Sequence, residues 1–150
     1  MRTRRKNSRG FSLLELLVVV GIIMIITAII IPNLLKARLA ANEGSATASM
    51  RTIGSGELLY RSTQGVFTTL TGLSNDNVID VILGSGTKSG YRFAATPGAL
   101  AAAHFTATAE PQASTGLAVS GNRTYWIDET QVIRYNIGAA ATSDSAPVPD

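Results

Sequence analysis

Arg9-Gly10-Phe11-Ser12-Leu13-Leu14-Glu15 joins a basic N-terminus to an apolar run and sets one carboxylate inside that run. Residues 1–10 hold Arg2, Arg4, Arg5, Lys6 and Arg9, and no acidic residue. Residues 11–31 follow as 21 residues whose only ionisable side chain is Glu15. A helix rises about 1.5 Å per residue, so this run spans roughly 30 Å, the hydrocarbon thickness of a bilayer. A carboxylate within such a span costs on the order of 2.5–3.5 kcal/mol and calls for a partner.

The 150 residues are room for one ordinary domain, part of it spent on the apolar segment. The formal charge of +3 belongs to the N-terminus. Beyond Gly10, eight Lys and Arg face ten Asp and Glu, a balance near −2. The basic residues there are scattered (Lys36, Arg38, Arg51, Arg61, Lys88, Arg92, Arg123, Arg134), which argues against a dedicated nucleic-acid surface. The chain has no cysteine, which excludes disulfides and thiolate metal sites, and His104 is its single histidine. His104 has no neighbouring Ser, Cys or paired carboxylate in sequence, so it reads as structural rather than catalytic.

Two ordinary readings of the N-terminus fit only in part. A secretory signal peptide explains the basic start, but the apolar run is about twice the usual length of its core. Pro32-Asn33-Leu34-Leu35-Lys36 also lacks a small-residue cleavage site. A plain anchor, held with its N-terminus in the cytoplasm by five basic residues, explains all but Glu15 and the Gly-Phe junction. Near the membrane boundary a glutamate snorkels at modest cost, but an anchor gains nothing from it.

Gly10-Phe11-Ser12-Leu13-Leu14-Glu15-Leu16-Leu17-Val18-Val19-Val20 resembles the processing and N-terminal segment of the type IV pilins and of the pseudopilins of type II secretion. Basic leader, Gly, Phe, a hydroxyl residue, Leu, any residue, Glu and a long apolar helix all agree, and Pro32 falls where that family commonly carries a kinking proline. The resemblance implies that prepilin peptidase cuts between Gly10 and Phe11 and methylates the new amine of Phe11. It implies that Glu15 pairs with the Phe11 amine of a neighbouring subunit, so that a charge in low dielectric rewards one register between helices. The implied partners are further copies of the chain in a helical polymer, the peptidase, the inner-membrane assembly machinery and, before assembly, membrane lipid. The implied location is a bacterial inner membrane, single-pass with the N-terminus cytoplasmic, and then a surface pilus. A periplasmic pseudopilus, or a minor pilin serving adhesion or DNA uptake, is the alternative. Pro32 cannot donate its N–H and clashes with the Ala28 carbonyl, so it predicts a kink or local opening within one long helix.

The expected fold is α+β and pilin-like: a long N-terminal helix packed on an antiparallel sheet of about four strands. The expected layout is a removable leader at 1–10, a transmembrane and assembly half-helix at 11–31, and an amphipathic half-helix at 32–63. A connecting loop at 64–90, a sheet head at 91–137 and a flexible tail at 138–150 complete it. Leu39, Ala46, Met50, Ile53 and Tyr60 share one helical face. Gly44 and Gly54-Ser55-Gly56 mark close packing, bends or merely tolerated glycines. Val78 to Leu83 reads as a short capped helix or a short strand. Alternating segments at 91–95, 104–109, 123–127 and 132–135 supply the strands, the last two as a hairpin. Tyr125 and Trp126 point to opposite faces, one of them the core.

No enzyme constellation and no cofactor motif emerges. Gly84-Ser85-Gly86 with Lys88 lacks phosphate-loop spacing, and Asp128-Glu129 with Asp144 forms no recognisable calcium loop, so no metal is assigned. The family commonly ties its C-terminal segment with a disulfide or a calcium ion, and this chain departs from the first entirely.

Overall fold

The computed structural model describes residues 11–114, 116 and 119–149. The leader at 1–10, with Gly10, lies outside the described residues, as does Asp150. The chain divides into two compact units, Met1–Lys36 and Ala37–Asp150, the second of which is the head. Helix α1, Leu13–Gln64, contributes to both and contains Pro32.

In the head, α1 offers a buried stripe because its apolar and small residues recur at helical spacing. Ala46, Met50 and Ile53 are fully buried, Leu39 is half-buried and Tyr60 packs at the rim of the core. Gly54 and Gly56 are close-packing positions, and being two residues apart they face different partners. A Cβ on Gly54 would lie 2.8 Å from Ile127 Cδ1 and 2.6 Å from Gln131 Oε1. One on Gly56 would lie 3.1 Å from Val78 and 3.3 Å from Ile79. Gly44 meets nothing within 4 Å and is simply tolerated.

After α1 come α2, Leu70–Asn75, and α3, Val81–Gly84. Thr69 caps α2 by accepting the Gly72 N–H, and Asp80 caps α3 by accepting the Leu83 N–H at 2.9 Å. That bond, helped by Lys88 3.2 Å away, holds the Asp80 carboxyl below its ordinary range against the opposing effect of desolvation. The helical alternative for this stretch is the one adopted, starting at the Asp80 cap.

The sheet is an antiparallel meander in the order β1 (Thr87–Lys88), β2 (Tyr91–Pro97), β3 (Phe105–Pro111), β4 (Arg123–Asp128), β5 (Arg134–Ile137) and β6 (Ala146–Pro147). Period-two alternation puts Tyr91, Phe93, Ala95, Phe105, Ala107, Ala109, Tyr125 and Ile127 in the core. Tyr125 is therefore the buried member of its pair and Trp126 the half-exposed one. The Tyr91 hydroxyl donates to the Arg123 carbonyl at 2.9 Å.

Six strands replace the four expected, and the two additions are edge pairs too short to show alternation. β1 exists because Gly86 (φ 81°) and Gly90 (φ 75°), with Ser89 (φ 50°), turn the chain tightly enough to pair Thr87 with Arg92. β6 lies within the stretch expected to be a flexible tail. Residues 146–147 pair with Tyr135 and Arg134, the Arg134 Nη1 donates to the Ser145 carbonyl at 2.9 Å, and the Val148 N–H donates to Ile133 at 2.8 Å. Ala141 is buried. Composition suggested mobility, but backbone pairing along β5 holds the segment without a disulfide. β5 also starts two residues later than expected, since Gln131 turns through φ 63° and donates from its side chain to the Gly54 carbonyl at 3.2 Å.

The glycines make opposite predictions. A Cβ on Gly121 would fall 1.9 Å from the hydroxyl oxygen and 2.5 Å from the ring of buried Tyr91. Gly121→Ala should cost about 1–3 kcal/mol by overpacking, whereas Gly44→Ala should be neutral or stabilise by up to about 1 kcal/mol. Denaturant unfolding followed by the fluorescence of Trp126 measures both, and an unimpaired Gly121→Ala variant would contradict this packing.

Candidate functional site

The N-terminal unit is an apolar helix with no polar side. From Phe11 to Leu34, seventeen large apolar side chains are each more than two-fifths exposed, ranging from Val20 at 41% to Phe11 at 84%. An amphipathic surface helix hides such residues on one stripe; a helix apolar all round is covered by lipid or by other protein. This stretch is the part of α1 long and apolar enough to cross a membrane.

Its few polar groups are turned onto its own backbone. The Thr27 hydroxyl donates to the Ile23 carbonyl and, at 3.2 Å, to Met24; the Asn33 amide donates to Ile29 at 3.3 Å. Back-bonding of this kind satisfies hydroxyl and amide groups where water is absent. The helical assignment of α1 runs through Pro32.

At the start of the helix the structure shows a feature that the sequence reading passed over. The Ser12 N–H donates to Glu15 Oε2 at 3.0 Å, and the Glu15 N–H donates to the Ser12 hydroxyl oxygen at 3.1 Å. Ser12-Leu13-Leu14-Glu15 is thus a reciprocal capping box, which satisfies two of the N–H groups a helix start leaves unpaired. The signal was present as a Ser followed three residues later by Glu. The box also points the carboxylate back toward Phe11, where the positive end of the helix dipole favours a negative charge. Glu15 Oε1 takes no part in the box.

Of the sequence-assigned positions, Phe11 and Glu15 lie at this helix start and Pro32 lies about four turns beyond Glu15. On the head, His104 Nδ1 is 2.6 Å from Glu129 Oε1, tying the start of β3 to the β4–β5 turn. Burial is the largest single effect on the Glu129 carboxyl and raises it, but the His104 contact and the Glu129 and Phe105 backbone N–H groups together hold it below its ordinary range. Asp128 accepts from the Thr130 N–H at 3.0 Å and serves the turn. A cleft of about 640 Å³ is lined by Glu43, Glu110, Asn122, Arg123 and neighbours. Two of its charges are engaged: Glu43 accepts the Asn122 N–H at 3.0 Å and lies 3.7 Å from Arg123.

An apolar N-terminal helix and a helix-backed antiparallel head define an α+β protein of pilin-like architecture. Residues 5–31 match the prokaryotic N-terminal methylation motif. Over 43 residues the chain is 54% identical to the type IV wide pilus major component PilA4 of Thermus thermophilus, covering 29% of this chain and 33% of that protein. Over 100 residues it is 31% identical to the type IV major pilin protein PilA of Myxococcus xanthus, covering 65% of this chain and 43% of that one. The chain thus spans less than half the length of either curated relative. By motif and by these relatives the chain is similar to type IV pilins, and its fold is consistent with a pilin fold.

The capping box separates two properties of Glu15. Gln serves at its third helical position as Glu does, so Ser12→Ala should fray the first turn at a cost of about 0.5–2 kcal/mol while Glu15→Gln should not. Amide exchange at residues 13–15 of the full-length chain in micelles checks this, with faster exchange in the Ser12 variant alone as the expected result.

Proposed function

We propose that this chain is a prepilin, the structural subunit of a type IV pilus filament. Prepilin peptidase cuts between Gly10 and Phe11 and methylates the exposed amine of Phe11. Residues 11–31 hold the protein in the inner membrane, the N-terminus cytoplasmic, until the assembly machinery moves it into a filament that reaches the cell surface. There the N-terminal helices bundle, and Glu15 meets the Phe11 amine of a neighbour. Pro32 provides a kink or local opening that lets the helices pack.

The observation that carries this reading is the all-round exposure of apolar side chains from Phe11 to Leu34, with Glu15 as the only ionisable side chain there and a methylation motif at its start. Fully burying a Leu or Ile side chain contributes about 1.5–3 kcal/mol relative to leaving it in water. Lipid supplies that burial before assembly and other copies of the helix supply it afterwards, so transfer between the two is nearly even for the apolar groups. The charge then decides. In lipid the carboxylate stands against the bilayer cost, and beside an amine it is offset. Both relatives are major components of type IV pili, which favours this reading over a secretion pseudopilus.

Glu15→Gln keeps the capping box and removes the charge, whereas Glu15→Ala removes both. Both variants should be processed and inserted normally and yield few or no filaments by electron microscopy. Normal filaments from Glu15→Gln would leave capping as the residue's role and contradict amine pairing. Mass spectrometry of the mature protein should find methylated Phe11 at its N-terminus; an N-terminus beyond Pro32 would instead establish an ordinary signal peptide.

A further inference from the structure

Glu57 is the one acidic or basic side chain among the described residues that is completely buried, at 0% exposure. It sits on α1 within the head, next to Gly56, whose surface is closed by Val78 and Ile79. Its Oε2 accepts the Thr68 N–H at 3.0 Å, and its Oε1 has no hydrogen-bond partner among the described residues. Apolar surroundings with a single donor suit a neutral carboxylic acid far better than an anion.

Thr68 is a sensitive place for that one bond. The chain leaves α1 through Gly65 (φ 78°) and must be held against the helix before α2 can start. Phe67 is buried, its N–H donates to the Ala101 carbonyl at 2.7 Å, and its ring lies 4.8 Å from that of Phe105. Thr69, on the other side, caps α2. Glu57 thus fixes the residue between the last core anchor of the connection and the first turn of the next helix.

Among the described residues no charged neighbour compensates it. On α1, Arg61 lies a turn further on with its guanidinium 5.1 Å from the Phe67 ring, and Arg51 is exposed. Helix α2 carries no ionisable residue; Asp76 after it is exposed. Asp80 pairs with Lys88, and His104, beyond Ala101, pairs with Glu129. None of these forms an ion pair with Glu57.

We propose that Glu57 is a proton-operated latch on residues 65–75: as a neutral acid it stays buried and holds the connection and α2 against α1, and as a carboxylate it draws in water and loosens them. This concerns the head alone and stands whether or not the chain polymerises. Burial pushes the Glu57 carboxyl up to about 7, with the Thr68 N–H pulling the other way. The folded form therefore binds the proton more tightly than the unfolded chain. The stabilising effect is complete below the ordinary carboxylate range of about 4.5 and is lost as pH rises to about 7. Val66, Thr69, Thr71 and Asn75 are exposed on this segment, so the latch makes part of the head's surface responsive to pH near neutrality.

The test uses the full-length chain in detergent micelles, wild type and Glu57→Gln, with amide exchange corrected for intrinsic rates between about pH 5 and about pH 8. In the wild type, protection at residues 67–72 should fall at least about tenfold as pH rises, while β3 amides hold; in Glu57→Gln it should change less than about twofold. Infrared spectroscopy supplies a readout independent of the variant's folding. The band of a protonated carboxylic acid should persist in the wild type near neutral pH and disappear as pH is raised. Equal pH responses in both proteins would assign the effect elsewhere, to the His104–Glu129 pair for instance, and overturn the proposal. A flat wild-type response, or loss of the acid band already in the ordinary carboxylate range, would overturn it too.

Discussion

The apolar surface of the N-terminal helix is the constraint on which the rest depends. A helix that exposes Leu, Ile, Val and Phe on every side from Phe11 to Leu34 has no stable place in water. It must lie in lipid or among other helices, and every other feature of the segment serves one of those states or the passage between them. Thr27 and Asn33 bond to their own helix, so that no polar group demands water. Ser12 and Glu15 cap each other, so that the helix start does not leave its N–H groups unpaired in an apolar medium.

The head answers a different problem. It folds around a small core without disulfide cross-links. Its core combines large side chains (Tyr91, Phe105, Tyr125, Met50) with alanines and glycines at close contacts, so that α1 reaches the sheet surface. Polar ties from α1 fix the loops: Asn42 donates to the Ser120 carbonyl, Glu43 accepts from Asn122, and Glu57 accepts from Thr68. The C-terminal segment closes the sheet through β6 rather than through a cross-link.

Legibility in the sequence follows from how strong each local pattern is. The apolar span, the stripe Ala46-Met50-Ile53 and the strands β2 to β4 are long periodic patterns, and each was readable within a residue or two at its ends. β1 and β6 are two residues each and leave no period; they are set by turns and by pairing partners far along the chain. The tail's composition pointed to mobility because Ala, Ser and Pro say nothing of the Arg134 guanidinium that donates to the Ser145 carbonyl or of the Ile133 carbonyl that accepts the Val148 N–H. Glu57 was hidden for a similar reason, since a glutamate directly after Gly54-Ser55-Gly56 reads as a solvated position until its neighbours are known. Ser12 was legible as half of a capping box, but the charge of Glu15 drew attention to the proposed pairing with another subunit rather than to the residue three positions away.

The Ser12 cap and the proposed amine pairing of Glu15 are compatible, since Oε2 accepts the Ser12 N–H while Oε1 stays outside the capping box. Within one chain the cap orients the carboxylate toward the helix start, which is where a neighbour's amine would have to arrive. A helical reconstruction of purified filaments at side-chain resolution tests this most directly. The account predicts each Glu15 carboxylate within ion-pair distance of the Phe11 amine of an adjacent subunit, with the Ser12 cap intact. Filaments in which Glu15 contacts only its own Ser12, and the Phe11 amine lies against another group, would contradict it.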